Sequence, residues 1–501
     1  HRRPGRAVDG APAATAAGLT RGHRPLMAAL SEAAAAAAAV LRRAEADGEL
    51  PGAAFAVGHA ERGTVLVDVV GVSDASTARV VSPDTPFCLA STTKPISTAV
   101  LAALVERGAI GLDDAITDHV PEFLAGLWAA RSPTVREIAT HTAGLGVHHR
   151  FFYEDERPAV PFLEAVRTLA RPALPVGAQW RYSNLGYGVL QLAMERAGGA
   201  RMADLVQRLV FEPLTMTASS WGGLHGPEDA AVRYLTPAEP YAGYVTDHPC
   251  ASEAWCSISD LLSFGLAHAR SSLFSPATHA LVAEPFAPRQ PDGAAYALGW
   301  VTREYDGVRV LVHGGRMGGV GAHLTVVPSL GLVVAALANI ETERLAEAVA
   351  TVLQAVVPHY APPSPVAPWS TGAAHPLLAG RWEGVAQLAD DALPATIDTL
   401  GDRITIQVGG VATDLVMPHL QPDGVMGHAN LSVPHPLAPT ASICHLDAQP
   451  MQLVDGTPTA TIGGERPDVI VGSLVSAQYP GPARRRQGDA VSAALWLERV
   501  G

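Results

Sequence analysis

Ser91 and Lys94 stand three positions apart in Ser91-Thr92-Thr93-Lys94, and they are the first candidates for chemistry. Lys94 is the only lysine in the chain, although lysine and arginine together number 35. A bias toward GC-rich codons explains the excess of arginine, but arginine stays charged and cannot replace a lysine that must lose its proton. A hydroxyl beside a neutral amine is a nucleophile beside a general base. The alternative is an N-capping serine and a lysine whose ammonium reaches solvent.

The residues after this pair predict a helix from Ser91 to Arg107, closed by Gly108. Positions i and i+3 share one face of a helix, so the hydroxyl of Ser91 and the amine of Lys94 would meet in the first turn. The free N–H groups and partial positive charge of a helix N-terminus favour an anion near Ser91 and disfavour a protonated Lys94. Burial lowers the pKa of a lysine further, by up to about 3–5 units. The pair therefore predicts acyl transfer.

A second motif, Tyr182-Ser183-Asn184, follows Pro175 and Gly177 and so lies in a loop before a helix. Tyr182 and Asn184 flank one residue, so both side chains can face one cavity. Tyr182 would carry a proton between nucleophile and leaving group, and Asn184 would hold a substrate carbonyl or amide. The alternative is ordinary turn chemistry of serine and asparagine.

A third motif, His313-Gly314-Gly315, stands at the end of a predicted strand. Glycine in a strand often marks the close approach of a ligand or another backbone, although a simple turn is the alternative. In the functional interpretation, Gly314 and Gly315 leave room for substrate. The backbone N–H of Arg316 then joins that of Ser91 as an oxyanion hole.

The elements around these motifs run as a helix, two strands, several helices, about four strands and a closing helix. The flanking helices are predicted at Ala28–Asp47 and Glu341–Val357. The strands are predicted at Ala53–His59, Thr64–Val72, Ala297–Glu304, Val308–Val312, Ala322–Val327 and Gly331–Ala338. This order is typical of an α+β unit with one mixed or antiparallel sheet and helices on its faces.

Composition divides the chain into four parts. Residues 1–27 read as a disordered leader, 28–357 as the acyl-transfer domain and 358–376 as a Pro-rich linker, which acts as a semi-rigid spacer. Residues 377–501 contain short strand-like segments separated by Gly, Pro and Asp, which predicts a small antiparallel barrel or sandwich. These segments are Ala379–Gln387, Ala395–Leu400, Arg403–Val408, Asp414–Met417, Met451–Val454 and Ala493–Arg499.

Taken together, the three motifs resemble the serine β-lactamase and penicillin-binding-protein superfamily, in the branch of class C β-lactamases, esterases and D-aminopeptidases. The resemblance covers roughly residues 28–357 and implies an antiparallel sheet flanked by helices, with a helical subdomain. It makes Ser91 the acylated nucleophile, Lys94 its base and Tyr182 the proton relay. Asn184 and His313 would line the substrate site.

Two points qualify this resemblance. His313 stands where many members carry a lysine, so a fixed cation for a substrate carboxylate is less certain, although Arg316 is adjacent. No Glu-x-x-x-Asn arrangement of the class A β-lactamase type is present, so antibiotic hydrolysis is not the first choice. Residues 377–501 resemble, more loosely, the lipocalin-like barrel of D-aminopeptidases and of penicillin-binding-protein-type thioesterases.

Several partner classes are disfavoured by composition. The formal net charge of −13 argues against nucleic acid, and no apolar run of about 18 residues predicts a membrane span. The four cysteines form neither a disulfide framework nor a zinc pattern. His148 and His149 adjoin without a third ligand at metal-like spacing, so we expect no metal and no cofactor. With no visible signal peptide, we expect a cytoplasmic protein.

The nature of the acyl acceptor stays open at this point. The leading hypothesis is a serine hydrolase of esterase or D-aminopeptidase type, acting on a small-molecule or peptide substrate. One alternative is a thioesterase or transacylase that passes the acyl group, from a carrier-protein thioester for example, to an amine or hydroxyl. Others are a non-catalytic ligand-binding or sensor protein and an interaction protein whose barrel is the functional part.

Overall fold

The computed structural model describes the backbone of most of the chain. The described ranges are 19–123, 131–146, 148–154, 161–177, 180–286, 293–362, 379–388, 391–400, 403–421, 424–429, 443–454, 457–460, 468–477 and 490–500. Most of the predicted linker, from 363 onward, and the leader up to residue 18 lie outside these ranges. Within the described ranges, no helix is both long and apolar enough to cross a membrane.

An eight-stranded sheet forms the centre of residues 52–338. Its strands lie in the order β11-β12-β13-β14-β15-β1-β2-β3, and every pairing is antiparallel, which decides between the two predicted sheet types. Their bounds are β1 Gly52–His59, β2 Gly63–Asp74, β3 Arg79–Val80, β11 Ala295–Tyr296, β12 Val301–Tyr305, β13 Val308–Met317, β14 Val320–Val327 and β15 Leu332–Ala338.

Shorter strands lie in the segment between β3 and β11. A three-stranded sheet and two two-stranded sheets, β5 with β9 and β7 with β8, are formed there. The bounds are β4 Phe87–Cys88, β5 Phe151–Tyr153, β6 Ser220–Trp221, β7 Tyr234–Thr236, β8 Glu239–Pro240, β9 Tyr244–Thr246 and β10 Ala254–Cys256. In the three-stranded sheet, β10 lies between β4 and β6. This small sheet matters because β4 leads directly into the segment that carries Ser91.

Helices cover both faces of the large sheet and build the segment between its early and late strands. Their bounds are α1 Leu19–Ala46, α2 Thr93–Glu106, α3 Ile116–His119, α4 Val135–Ala139, α5 Phe162–Leu169, α6 Asn184–Gly198, α7 Met202–Val206, α8 Pro249–Ser252, α9 Ile258–Ala269, α10 Pro276–Ala283 and α11 Arg344–Val356. A short π-helical turn, Gln207–Phe211, follows α7. Short 3₁₀ turns lie at Ala90–Thr92 and Pro328–Leu330.

The central strands β1 and β15 are buried on both faces of the sheet. Successive side chains of a strand point to opposite faces. Ala53, Phe55 and Val57 accordingly pack with α1 and α11, whereas Ala54 and Ala56 pack with α2 and α9. Both strands are almost entirely apolar for this reason.

Two predicted strands have different bounds in the structure. The segment predicted as Ala297–Glu304 forms a strand only from Val301 onward, as β12. Just before it, Gly299 adopts a φ of +76° in close contact with α2, and a Cβ there would lie 2.9 Å from the Lys94 carbonyl oxygen. The strand predicted to end at Val312 continues to Met317 as β13. The turn falls instead at Gly318 and Gly319, where Gly319 has a φ of +74°. The third motif therefore lies within a strand, not at its end.

Both flanking helices also differ from their predicted bounds. The first helix begins at Leu19, within the stretch assigned to the leader, and ends at Ala46. The closing helix begins at Arg344, three positions later than predicted, and ends at Val356. Buried alanines of α1, such as Ala34, Ala37 and Ala38, explain why a chain so rich in alanine packs well against the sheet.

Residues 380–500 form a nine-stranded antiparallel sheet in the order β20-β19-β18-β17-β16-β24-β23-β21-β22. Its strands are β16 Gly380–Leu388, β17 Asp391–Leu400, β18 Arg403–Val408, β19 Val411–Gln421, β20 Gly424–Ala429, β21 Ile443–Val454, β22 Thr457–Ala460, β23 Val469–Ala477 and β24 Ala490–Val500. The antiparallel prediction is confirmed at this level. Sequence reasoning missed β20, β22 and β23, whose glycine, proline and serine content hides the strand pattern.

Candidate active site

Ser91 lies in a sharp turn between the small sheet and α2. Leu89, just after β4, donates its N–H to the Ala254 carbonyl at 2.9 Å, and Ala90 then adopts a φ of +44°. A non-glycine residue in this left-handed region is uncommon and marks a backbone held by its surroundings. Ser91 therefore lies in the 3₁₀ turn just before α2, not in the first turn of the α-helix as predicted. Its side chain stays partly exposed.

Lys94 is completely buried in the first turn of α2. Its Nζ lies 3.2 Å from Ser91 Oγ, 2.8 Å from Asn184 Oδ1 and 3.1 Å from the Ala251 carbonyl oxygen. Burial holds the pKa of Lys94 well below its usual value of 10.5. A neutral amine has two hydrogens and one lone pair. It can donate to the two carbonyl oxygens and turn its lone pair to the Ser91 hydroxyl, which is the arrangement of a general base.

Tyr182 contacts both Ser91 and Lys94. Its phenolic O–H donates to Ser91 Oγ at 2.8 Å, and its ring centroid lies 4.6 Å from Lys94 Nζ. Burial raises the pKa of Tyr182 well above its usual value of 10, and the hydrogen bond with Ser91 offsets this only in part. The phenol is therefore protonated at neutral pH and can donate a proton. The relay role of Tyr182 and the base role of Lys94 stay predictions.

Asn184 is the first residue of α6, which begins after the N-cap Ser183. The Ser183 hydroxyl accepts a hydrogen bond from the Gly186 N–H and donates one to the Gly146 carbonyl oxygen, so the start of the helix is fixed. The Asn184 side-chain oxygen accepts a hydrogen bond from the Lys94 amine and so helps to fix its position. Its predicted contact with substrate stays a prediction.

The third motif lies on β13, next to the turn that carries Ser91. The Thr92 hydroxyl donates to the His313 carbonyl oxygen at 3.2 Å. A Cβ on Gly315 would lie 2.0 Å from the Leu89 carbonyl oxygen, so only glycine permits this approach. At Gly314 the nearest atom to such a Cβ is 4.0 Å away, so this position is open. The substrate-binding assignment of both glycines stays a prediction.

His313 is buried, and its ring is held between two oxygens. The Tyr296 hydroxyl lies 3.0 Å from Nε2, and the Gly314 carbonyl oxygen lies 2.8 Å from Nδ1. The carbonyl requires a proton on Nδ1, so Tyr296 donates to Nε2. Burial, together with Lys94 nearby, lowers the pKa of His313 to about 3. The motif therefore supplies a neutral imidazole at neutral pH, in place of a cation.

Arg316 carries its charge away from the site. Its exposed guanidinium forms a hydrogen-bonded ion pair with Glu343, and Glu341 lies 4.0 Å away. Successive side chains of a strand point to opposite faces, so the Arg316 side chain lies on the face of β13 opposite to the buried positions His313, Gly315 and Met317. The predicted oxyanion hole uses the backbone N–H groups of Ser91 and Arg316 and stays a prediction.

A model of the family described as Beta-lactamase matches residues 37–357, more than half of the chain. The chain belongs to the beta-lactamase family. The resemblance carried by the three motifs is confirmed. In this member of the family, the matched region contains the whole central sheet and all of the site described above.

Two of the relatives are named as a hydrolase and an esterase. The unguisins hydrolase ungD' of Aspergillus campestris (strain IBT 28561) is 27% identical over 297 residues, which cover 52% of this chain and 53% of the relative. Esterase EstB of Burkholderia gladioli is 36% identical over 179 residues, 33% of this chain and 45% of the esterase. The chain thus spans about half the length of these two relatives.

The fold also matches solved structures beyond the family match. The crystal structure of SurE with D-Leu superposes with a TM-score of 0.60 at 18% sequence identity. The match covers 94% of this chain and 100% of the SurE chain, so the likeness in fold continues into the C-terminal sheet.

Three residues of this beta-lactamase-family site were missed by sequence reasoning. The Ala251 carbonyl is the third partner of Lys94, Tyr296 holds His313, and His141 packs 4.5 Å from the Tyr182 ring. A backbone carbonyl leaves no signal in a sequence. His141, in contrast, opens the His141-Thr142-Ala143-Gly144-Leu145 stretch that resembles the family, and it could have been chosen on that ground.

A buried cluster near the site joins His148, Asp247 and His248. His148 Nε2 lies 3.0 Å from one carboxylate oxygen of Asp247, and His248 Nδ1 lies 2.7 Å from the other. One ligand atom from each residue lies within 4.8 Å of the others, so the geometry permits a metal ion. Sequence reasoning had paired His148 with His149 instead. The hydrogen bonds already satisfy the carboxylate, and they anchor the segment that leads into α8 and Ala251.

We expect chelators to leave the rate of this enzyme unchanged. The predicted nucleophile, base and oxyanion-hole donors all belong to the polypeptide, so no predicted step requires a metal. The measurement is turnover after dialysis against EDTA, with and without added Zn²⁺. A large loss that Zn²⁺ restores, and that disappears in His248→Ala, would contradict this expectation and assign a metal to the buried cluster.

Proposed function

We propose that the chain is an acyl-transfer enzyme that works through a covalent acyl-enzyme on Ser91. The observation that carries this proposal is the contact of Ser91 Oγ with both Lys94 Nζ, at 3.2 Å, and the Tyr182 hydroxyl, at 2.8 Å. A nucleophile within hydrogen-bond reach of a base that is itself oriented by other groups is the general pattern of covalent catalysis. The names of the relatives, an esterase and an unguisins hydrolase, agree with it.

In the acylation step, the neutral Lys94 amine accepts the proton of Ser91 as Oγ bonds to the acyl carbon. The amides of Ser91 and Arg316 would stabilise the oxyanion of the tetrahedral intermediate. Tyr182 then gives its proton to the leaving alcohol, amine or thiol and regains one from the Lys94 ammonium. The acyl–leaving-group bond breaks, and the acyl-enzyme remains with Lys94 neutral again.

In the second step, an acceptor attacks the acyl-enzyme and the protons move in reverse. The acceptor gives its proton through Tyr182 to Lys94, and Ser91 Oγ leaves with the proton returned from Lys94. Water as acceptor makes the enzyme a hydrolase, and an amine or hydroxyl makes it a transacylase. The first is the leading proposal, because both named relatives above are hydrolases.

The charge of the site bears on the acyl donor. His313 is neutral at neutral pH because burial lowers its pKa to about 3, and the Arg316 guanidinium is paired with Glu343. Neither residue offers a free cation to a substrate carboxylate. The proposed donors are therefore esters, amides or thioesters of small molecules or peptides, with a neutral group next to the scissile bond.

The C-terminal unit, residues 377–501, is proposed as a lipocalin-like barrel that helps to wall the site. The pairing of β20 with β21, in addition to the main strand order, supports a barrel arrangement. Val469 and Trp496 pack against Leu174, which precedes the loop that carries Tyr182. A site lined by this second unit would have room for an acyl donor larger than a simple ester, such as a carrier-bound peptidyl thioester.

The proposed function is tested by intact-mass spectrometry of the full chain after exposure to acyl donors. The panel contains an ester, a D-amino-acid amide and a peptidyl thioester, each as a neutral and a carboxylate-bearing version. A mass increase equal to the acyl group, absent in Ser91→Ala, supports the acyl-enzyme. Product analysis with added amines separates hydrolysis from transfer. A label on Ser91 without turnover would favour the sensor alternative, and no label from any donor would contradict the proposal.

A further inference from the structure

His141 adopts a backbone conformation that histidine rarely takes. Its φ is +62°, in the left-handed region, and it lies just after α4 with its side chain 2% exposed. Such conformations persist only where the surrounding structure determines them, and they cluster at functional sites. The strained residue here is next to the candidate active site, since its ring contacts that of Tyr182.

The main chain and side chain of His141 hold the two peptide groups around Tyr182. The carbonyl oxygen of His141 accepts a hydrogen bond from the Arg181 N–H at 2.7 Å. Its Nδ1 accepts one from the Ser183 N–H at 3.1 Å. One residue thus fixes the backbone immediately before and immediately after the tyrosine that donates to Ser91.

The ring of His141 also packs against the phenol itself. Its centroid lies 4.5 Å from that of Tyr182, and Tyr296 and Tyr187 close the other sides at 4.6 and 5.1 Å. Because Nδ1 accepts a hydrogen bond, the proton of the neutral ring is on Nε2. This atom has no hydrogen-bond partner among the described residues. Burial, with Lys94 and His313 nearby, keeps the pKa of His141 well below 6.5, so the ring stays neutral.

We propose that His141 is a positioning residue for the proton relay Tyr182. It holds the Tyr182 hydroxyl within hydrogen-bond distance of Ser91. The inference rests on the proposed function, because it assigns a role to Tyr182 in acyl transfer. Proton transfer needs heavy atoms about 2.6–3.2 Å apart. A displacement of about 1 Å, even one caused by a distant change, can cost on the order of 100-fold in rate. His141 touches no reacting atom and acts only through Tyr182.

A double-mutant cycle tests this dependence on Tyr182. The rate of Ser91 acylation by a chromogenic ester is measured in the wild type, His141→Ala, Tyr182→Phe and the double variant. His141→Ala should lower the rate by at least about tenfold in the wild-type background, with KM changed less than kcat. In the Tyr182→Phe background, where no relay remains to be positioned, the same change should alter the rate less than about twofold.

Two further variants separate positioning from general destabilisation. In His141→Asn the side-chain oxygen takes the place of Nδ1, and asparagine tolerates a left-handed φ. In His141→Gln the amide reaches the place of Nε2 and leaves the Ser183 N–H without its acceptor. We therefore expect Asn to recover most of the rate lost in His141→Ala, and Gln to recover little. His268→Asn is the control, because His268 is another buried histidine among aromatic rings, on α9.

The possible results have distinct meanings. An equal loss from His141→Ala in both Tyr182 backgrounds, or a His141→Gln variant as active as His141→Asn, would overturn the positioning role. A loss of rate in His268→Asn as large as that in His141→Ala would also overturn it. If His141→Ala does not fold, the comparison of the Asn and Gln variants decides. A wild-type chain that no donor acylates would instead overturn the proposed function, and a label on wild-type Ser91 distinguishes the two failures.

Discussion

Ser91→Ala should abolish both the acyl-enzyme and turnover. Its Oγ is the atom that receives the Tyr182 hydrogen bond at 2.8 Å and faces Lys94 Nζ at 3.2 Å, and no other hydroxyl shares these two contacts within the described ranges. Removal of a serine nucleophile typically costs on the order of 10⁶-fold in kcat. The measurements are steady-state turnover and intact mass after reaction with an ester that labels the wild type.

The stability of Ser91→Ala should be close to that of the wild type. Ser91 is only partly buried, and the variant loses one hydroxyl without creating a large cavity. Ser263→Ala is a matched control, because Ser263 is partly buried on α9 and bonds to the Ser259 carbonyl oxygen away from the site. Activity in the control together with loss in Ser91→Ala assigns the effect to the nucleophile. Normal turnover in Ser91→Ala would remove the central claim.

Lys94→Arg should lower turnover by about 10²–10⁴-fold, the usual contribution of general acid–base catalysis. Arginine cannot give up its proton in a protein and so cannot accept the proton of Ser91. The wild-type side chain is completely buried, and its pKa lies well below 10.5 because of that burial. Arginine adds volume and a permanent charge at this point. Lys94→Met is therefore the companion variant, since it keeps similar length without charge and also lacks a base.

The pH–rate profile gives the second measurement of the Lys94 prediction. Protonation of Lys94 removes the base, so the wild-type rate should rise as pH rises through the coupled titration of Lys94 and Tyr182. The lowered pKa of Lys94 places this rise below pH 10.5. Both variants should lose the rise. Near-wild-type turnover in Lys94→Arg or Lys94→Met would contradict the mechanism, and arginine would then be a sufficient replacement for the sole lysine.

The sequence by itself singled out Ser91 and Lys94 as the proposed nucleophile and base. Ser91 and Lys94 are three residues apart, so one local turn brings them together whether it is the predicted α-turn or the observed 3₁₀ turn. The chemical difference between lysine and arginine singled out Lys94 from composition alone. A sheet between flanking helices was likewise accessible, because β1 and β15 are almost entirely apolar. That every pairing in it is antiparallel was decided by the structure.

The bounds of several elements depended on special backbone positions. His313 continues the strand β13 because the turn falls at Gly318 and Gly319, and Gly299 interrupts the strand before it. A Gly-Gly pair at 314–315 gives the same signal in a sequence as the pair at 318–319. Packing against the Leu89 carbonyl, which decides that Gly315 stays extended, is a contact between distant segments.

Only the tertiary structure decided which groups form hydrogen bonds with Lys94 and that the Tyr182 hydroxyl reaches Ser91. Asn184 and the Ala251 carbonyl reach Lys94 across 90 and 157 residues, and Tyr182 reaches Ser91 across 91. The role of His141 also emerges only there, since it depends on the Arg181 and Ser183 amides and on a left-handed φ. Local spacing fixes contacts within one turn of a helix. Contacts between elements depend on how buried surfaces pack, and a backbone carbonyl or amide can make them from any residue type.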